Sequence, residues 1–421
     1  VRVLHLSWEY PPLVYGGLGR HVHALAEAQA AAGHDVVVVT QHPGTAGVAL
    51  DERVNGVRVV RVPHGSPAIP MSDLLAWVSV LEHALTRGGL RVGHTWVPEV
   101  VHGHDWLVAH TGAALREAFG VPLVATMHAT EAGRHQGWLP TPLSRAIHTT
   151  EWWLTFEARR VIACSQHMRW EVTRLFELPP DKVDVIPNGI DLTRWTSRPA
   201  DVAAARRRYA ADGPLVLFTG RLEWEKGVHT LVEAMPRLRR RHPGVRLVVV
   251  GRGSQLEPLR ELARRLRVGR SVTFAGWLGE ADLTAVSAAA DVAVVPSLYE
   301  PFGLVALESA ALGTPVVVAG TGGLAEIVEH GSTGLVFPPQ DAAALADAVT
   351  AVLRDDVLAR RVVRTARAVL ARDHAWPVLA ERTVTTYERA VREERALLAS
   401  SSAHPEPRMV VRDGNLLRDA T

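Results

Sequence analysis

Short runs of β-branched and other apolar residues recur along the chain, each followed by a longer stretch with helical spacing. Residues 3–7, 36–40, 57–62, 100–103, 123–127 and 161–163 read as strands of a first half. Their faces do not alternate between polar and apolar, the mark of a parallel sheet covered on both sides. Between the first two runs, Leu18, Val22, Leu25 and Gln29 fall at helical spacing among alanines, and Gly33 is placed to stop that helix. After Pro187-Asn188-Gly189 a second series begins, with strands expected at 215–219, 247–250, 272–275, 292–295 and 316–319. Two such series predict an α/β protein of two doubly wound, Rossmann-like parallel sheets. Residues 343–372 read as helices closing the second unit and 376–399 as a long final helix. The expected division is 1–188, 189–375, a helix over 376–399 packing back on the first unit, and a flexible tail over 400–421 with no periodic apolar pattern.

Composition narrows the class. A chain of 421 residues implies two or three domains, and 47% hydrophobic with 21% charged residues gives large buried cores. The 46 Lys+Arg against 44 Asp+Glu leave a formal charge of +2, which argues against a dedicated nucleic-acid partner. Arg206, Arg207 and Arg208 read as a solvated helix face. Cys164 has no second cysteine to pair with and flanks an apolar strand, so a packed, inert thiol is expected. No apolar run approaches the roughly 18 residues of a spanning helix, and the chain enters its first strand without a signal region, so a cytoplasmic protein is expected.

The chemistry gathers at strand ends. Gly220-Arg221-Leu222-Glu223-Trp224-Glu225-Lys226-Gly227 follows one strand, and Arg221 and Lys226 are two cations able to converge on a diphosphate. Pro296-Ser297-Leu298-Tyr299-Glu300-Pro301-Phe302-Gly303-Leu304 leads into a helix that carries Glu308. Glu300 sits just before the free amides of that helix, and Gly303 admits a close backbone approach. Thr321-Gly322-Gly323 can approach the same place. In the first half Gly16-Gly17-Leu18-Gly19 opens a helix, a second anion site facing the first; its spacing is not the G-x-G-x-x-G of a dehydrogenase, and Gly251-Arg252-Gly253 lacks the third glycine. His102-Gly103-His104-Asp105-Trp106 suggests a metal site, yet this spacing at a strand end does not bring three ligands together unaided. His128, Glu131 and Arg134, with Trp138, resemble an acceptor wall, and Glu9, Asp105 and Trp106 join them as expected acceptor contacts. Gly251 and Leu278 stand in the loops expected to select the base.

Glu300 and Glu308 eight residues apart, with Arg221 and Lys226 upstream, resemble family 4 of the retaining glycosyltransferases, enzymes of the GT-B fold. The resemblance implies that Glu300 holds donor-sugar hydroxyls, Glu308 the ribose, and Arg221 with Lys226 the diphosphate. His-x-His-Asp-Trp is similar to an element of the bacterial glycogen synthases, which implies that His104 reaches the donor sugar. The chain departs from those enzymes at Val14, where they carry Lys, and at Glu308, which they usually lack. The patterns of residues 8–12, 16–23, 104–110, 128–134 and 221–229 resemble the actinobacterial α-(1→4)-glucosyltransferases of methylglucose lipopolysaccharide and glucan synthesis. UDP-glucose or ADP-glucose as donor and an α-1,4-glucan or glucosyl glycolipid as acceptor are implied, with no further cofactor and, lacking an Asp-x-Asp element, no metal. A mannosyltransferase of the same family is the nearest rival. A sugar-nucleotide epimerase, a phosphorylase and a non-catalytic glucan-binding protein are the rivals from other classes.

Overall fold

The computed structural model describes residues 1–63, 69–210 and 212–403, with side chains to residue 400. In the first half β1 (Arg2–Leu6), β2 (Asp35–Gln41), β3 (Asp51–Val54), β4 (Val57–Val62), β5 (Val100–His104), β6 (Leu123–Met127), β7 (Arg160–Ala163) and β8 (Val183–Val185) form one sheet. Its order is β3-β4-β2-β1-β5-β6-β7-β8, parallel throughout except for the antiparallel edge pair β3–β4. In the second half β9 (Leu215–Thr219), β10 (Arg246–Val250), β11 (Val272–Gly276), β12 (Val292–Val295), β13 (Val316–Ala319) and β14 (Leu335–Phe337) form an all-parallel sheet of order β11-β10-β9-β12-β13-β14. Both sheets are doubly wound, as the uninterrupted apolar runs predict. Three strands had no such pattern: β3 is the polar, largely exposed Asp51-Glu52-Arg53-Val54, and β8 and β14 have three residues each.

The helices α1 (Gly17–Ala31), α2 (Leu74–Gly93), α3 (Ala109–Phe119), α4 (Glu131–Arg134), α5 (Pro142–Glu157) and α6 (Gln166–Leu175) belong to the first half. The second carries α7 (Pro199–Tyr209), α8 (Val228–Arg241), α9 (Leu256–Arg265), α10 (Glu280–Ala289), α11 (Leu304–Ala311), α12 (Leu324–Ile327), α13 (Ala342–Arg354) and α14 (Asp356–Asp373). The last helix, α15 (Trp376–Ala403), returns to the first half. Its Leu379, Val384, Tyr387 and Ala390 share a buried cluster with Val3, Val22, Val36 and Val124. The wholly buried Arg160 anchors it through Glu393, at 3.1 Å, and through Asp184 on the neighbouring strand. The helix runs on to Ala403; the rest of the tail expected over 400–421 lies outside the described residues.

The halves share a core as well as a chain. Phe302, Leu307, Ala310 and Ala311 from around α11 pack in one apolar cluster with residues of the first sheet. Polar contacts reinforce the seam. Ser165 Oγ donates to the Pro301 carbonyl at 2.7 Å, and the Glu326 carboxylate accepts from the Gln166 and His167 amides at the start of α6. That carboxylate caps a helix N-terminus belonging to the other half. No described helix is long and apolar enough to cross a membrane.

Candidate active site

In each sheet the connections diverge in opposite directions from one adjacent pair of strands, β1/β5 in the first and β9/β12 in the second. The crevice beyond the carboxyl ends of such a pair is where doubly wound folds receive ligands. The loops after these four strands carry Glu9 and Gly16, Asp105, Arg221 and Lys226, and Glu300. The motifs singled out in the sequence therefore converge because of strand order, not proximity along the chain.

In the second half Lys226 Nζ donates to Glu300 Oε2 at 2.8 Å, and Ser297 Oγ donates to the same oxygen at 3.1 Å. Backbone packing enforces this pairing. Gly227, at φ +62°, presses so closely on the next loop that an added Cβ would lie 2.0 Å from the Pro296 carbonyl oxygen. Gly322, at φ +51°, leaves 2.2 Å to the Glu300 carbonyl oxygen, so the third glycine loop does reach the same region. Arg221 takes a different partner: its guanidinium pairs with Glu225 at 2.9 Å and is half exposed. The two cations thus share a loop, but only Lys226 is joined to Glu300. Gly251 at the end of β10 lies against the Gly220 carbonyl, and Leu278 packs partly buried beside α7.

Helix α11 begins at Leu304 behind Gly303, with its first amides uncapped by any side chain. Phe302, expected at the donor, is instead buried in the core between the halves, where its ring centroid lies 5.9 Å from that of His374. An aromatic side chain flanking a cleft motif was needed for packing. Glu308 is buried, and Arg20 Nη1 from α1 reaches it across the cleft at 2.5 Å. Burial pushes its carboxyl up to about 7, with Arg20 acting in the opposite direction. Arg20, one helical turn beyond the glycine loop, had no sequence pattern to mark it as the partner of Glu308.

In the first half α1 opens at Gly17, and its end faces α11: a Cβ on Gly17 would lie 2.8 Å from Leu304 Cδ1. Leu18 packs partly buried against the core on the α15 side and turns away from the crevice. Glu9 differs from expectation. It is buried, its carboxylate accepts from the Tyr15 and Gly16 amides, and its side chain fills the space a Cβ on Gly19 would need. It shapes the glycine loop from beneath and does not face an acceptor. Asp105 is likewise buried, accepting from the His128 amide at 2.7 Å, and desolvation raises its carboxyl to about 6. Trp106 follows it, half-buried, at the start of a short turn.

His104 is the clearest correction. Its ring is fully buried, with Nε2 3.1 Å from His5 Nδ1 and Nδ1 3.2 Å from His128 Nε2, so no nitrogen is left for a donor sugar. The imidazole at the open end is His128, half-buried just beyond β6. Glu131 begins α4 and contacts His135 at 3.2 Å, Arg134 is half-buried, and Trp138 stands 77% exposed on the rim. Glu151 of α5 was missed by the sequence reading; it is buried, holds the Glu131 amide at 2.9 Å, and desolvation pushes its carboxyl to about 9. It sits inside a helix pattern that looks like ordinary amphipathic sequence. Tyr299, read only as part of a motif, is buried in the first half, where its hydroxyl donates to Glu171 at 2.8 Å and accepts from the Thr130 amide at 3.2 Å. Cys164 is buried beside the Pro301 carbonyl, and burial pushes its thiol up.

Strand register supplies what the His-x-His spacing alone lacked. His5 on β1 pairs with His102 on β5, and His104 pairs with Thr126 on β6. Two ring trios, His5/His102/His104 and His21/His104/His128, have ligand atoms within 4.8 Å of one another. These are the residues able to hold a metal among those described. In the ring pairs His5/His104 and His104/His128 the facing nitrogens lie 3.1 and 3.2 Å apart, within hydrogen-bond distance of each other.

Comparison with known proteins identifies the family. Residues 203–369 match the model described as glycosyl transferases group 1, and residues 15–194 match glycosyltransferase family 4. A glycogen synthase of Mycobacterium tuberculosis is 46% identical, covering 98% of each chain. A D-inositol 3-phosphate glycosyltransferase of Pseudarthrobacter chlorophenolicus is 34% identical over 89% of this chain and 91% of its own. Among solved structures, sucrose-phosphate synthase of Thermosynechococcus elongatus superposes with a TM-score of 0.76 at 28% identity, covering 95% of this chain and 99% of its own.

Proposed function

The chain belongs to family 4 of the retaining glycosyltransferases and has the GT-B fold, and on that premise we propose that it transfers glucose from ADP-glucose or UDP-glucose to the end of an α-1,4-glucan. The observation that carries this reading is the Lys226–Glu300 pair at the β9/β12 switch point, set opposite the glycine-opened end of α1. A nucleotide diphosphate lying between them meets Lys226 on one side and the amides of Gly17 and its neighbours on the other. Glu300 accepts hydrogen bonds from the donor-sugar hydroxyls, and Arg221 swings from Glu225 onto a phosphate oxygen. The 46% identical glycogen synthase supports glucose and a glucan as the substrates.

In the reaction the bond between the anomeric carbon and the diphosphate oxygen breaks. A glucan hydroxyl oxygen takes the same face of that carbon, and its proton passes to the departing phosphate oxygen. Charge grows on the diphosphate, where fixed cations and helix amides stabilise it without reorganising. No side-chain nucleophile is required, so positioning accounts for the rest. Release of nucleoside diphosphate from ADP-glucose, UDP-glucose and GDP-mannose, each with and without a maltooligosaccharide and in EDTA, tests the reading. Acceptor-dependent release from a glucose donor is expected. Release from GDP-mannose alone would overturn the sugar, release independent of acceptor would point to a hydrolase, and a donor sugar isomerised without any release would point to an epimerase.

A further inference from the structure

The loop that carries Glu300 is clamped to the first half on both sides of that residue. After it, the Pro301 carbonyl accepts from Ser165 Oγ at 2.7 Å. Before it, the Tyr299 side chain leaves its own half and is only 6% exposed, in a socket between α4 and α6. Its ring fills the space that a Cβ on Gly133 of α4 would need, and its hydroxyl lies 3.6 Å from Met168 Sδ. The backbone of the same residue stays with the second half. The Leu298 and Tyr299 amides donate to the Glu225 carbonyl at 2.8 and 3.3 Å. Glu225 belongs to the loop of Arg221 and Lys226, so Tyr299 runs from the cation loop into the first half.

A backbone amide can only donate, so the Tyr299 oxygen accepts from the Thr130 N–H at 3.2 Å, and its own proton is left for Glu171 Oε1 at 2.8 Å. Burial raises the phenol well above its ordinary pKa, which keeps that proton in place. The Gly133 amide donates to Thr130 Oγ1 at 2.9 Å, and the Thr130 hydroxyl donates to the same Glu171 oxygen. Thr130 is the N-cap of α4, and the next amide, that of Glu131, is held by Glu151 of α5 at 2.9 Å. Among the described residues, no other side chain of the second half hydrogen-bonds to residues 130–134.

We propose that the Tyr299 hydroxyl is a positioning group that fixes the turn of residues 130–134 to the loop carrying Glu300, so that filling the nucleotide site orders the place where the acceptor lies. Tyr299 and Glu300 are neighbours in the chain, so a shift of one is passed to the other across a single peptide link. Through the Glu225 carbonyl the backbone of Tyr299 also follows the loop that brings Arg221 and Lys226 to a diphosphate. The socket turns that motion into a fixed position for Thr130, and α4 carries Glu131 and Arg134 with it. Phenylalanine would fill the same socket but leave the buried Thr130 amide without its partner. Buried as it is, Tyr299 touches neither substrate and acts through the turn. The inference rests on the transferase reading, in which residues 130–134 border the acceptor.

Amide hydrogen exchange of the full-length chain, read by mass spectrometry with and without saturating ADP, UDP or GDP, tests this with no sugar in the cleft. Exchange of residues 129–135 should slow when a nucleotide binds the wild type, and the slowing should be lost in Tyr299→Phe. Nucleotide binding without slowing in the wild type would overturn the proposal, and that result needs no variant to fold. Slowing that persists in Tyr299→Phe would overturn it too. With maltotetraose as acceptor, Tyr299→Phe should raise the acceptor KM about tenfold, the worth of one hydrogen bond, while its calorimetric Kd for nucleotide stays at the wild-type value. A lowered melting temperature with an unchanged acceptor KM would mark a purely structural tie and sink the inference, as would equal losses of acceptor and nucleotide affinity. Failure of all three nucleotides to bind would strike the transferase reading and this inference with it, whereas binding without slowing strikes the inference alone.

Discussion

Glu308 should destabilise the native protein at alkaline pH, and replacing it should reveal by how much. The carboxyl is buried, and desolvation raises it from an ordinary 4.5 to about 7 while Arg20 pulls the other way. With the folded pKa above the unfolded one, the native state binds the extra proton between those values. Stability therefore falls as pH rises from 4.5 towards 7 and is level above that. The displacement corresponds to a loss on the order of 3 kcal/mol at pH 8. Glu308→Gln keeps an oxygen for Arg20 at 2.5 Å and cannot ionise. Its melting temperature should exceed the wild type's by roughly 5 °C at pH 8, and the two should approach each other at pH 5. The same variant tests the ribose contact that the family resemblance implies for Glu308: on that reading its donor affinity falls while its stability rises. Thermal unfolding of both proteins across pH 5–8 measures this. A variant melting below the wild type at pH 8, or a gain just as large at pH 5, would refute the reasoning.

Three further outcomes follow from the site. Glu300→Ala and Lys226→Ala should each lower kcat by about 100-fold or more, with circular dichroism and melting little changed, as expected where preorganised charge is removed from a transition state. Gly227→Ala should cost more than about 2 kcal/mol and impair turnover, because a Cβ has only 2.0 Å to the Pro296 carbonyl oxygen at φ +62°. Denaturation curves and steady-state rates check it. Cys164 should resist thiol reagents at pH 8 in the native protein and react fully after unfolding, since its thiol is buried and held protonated.

The architecture was legible because both sheets are buried on two faces, which leaves uninterrupted valine-rich runs such as Val37, Val38 and Val39. The strands that escaped notice lie at sheet edges or have three residues, where no apolar run is needed. At the site, Arg221, Lys226, Glu300 and the paired glycines stand out because a strand-to-helix loop has no structural use for them in that pattern. Contacts that depend on register or on distant elements left no trace. His104 ends β5 and His128 stands just past β6, and only the contact with His5 on the neighbouring strand shows that the first is sealed while the second is half-buried. Phe302 and Glu9 were misread for a related reason, since a cleft motif must also be packed from behind. Arg20 and Tyr299 cross between halves, and their partners lie 288 and 128 residues away.

The most direct test is the product itself: the enzyme is given ADP-glucose or UDP-glucose with maltotetraose, and the lengthened oligosaccharide is examined by proton NMR. A new terminal glucose joined through an α-1,4 bond is expected, with the anomeric configuration of the donor retained. A β-linked product, or no elongation with either donor while nucleotide is consumed, would contradict glucosyl transfer by this cleft.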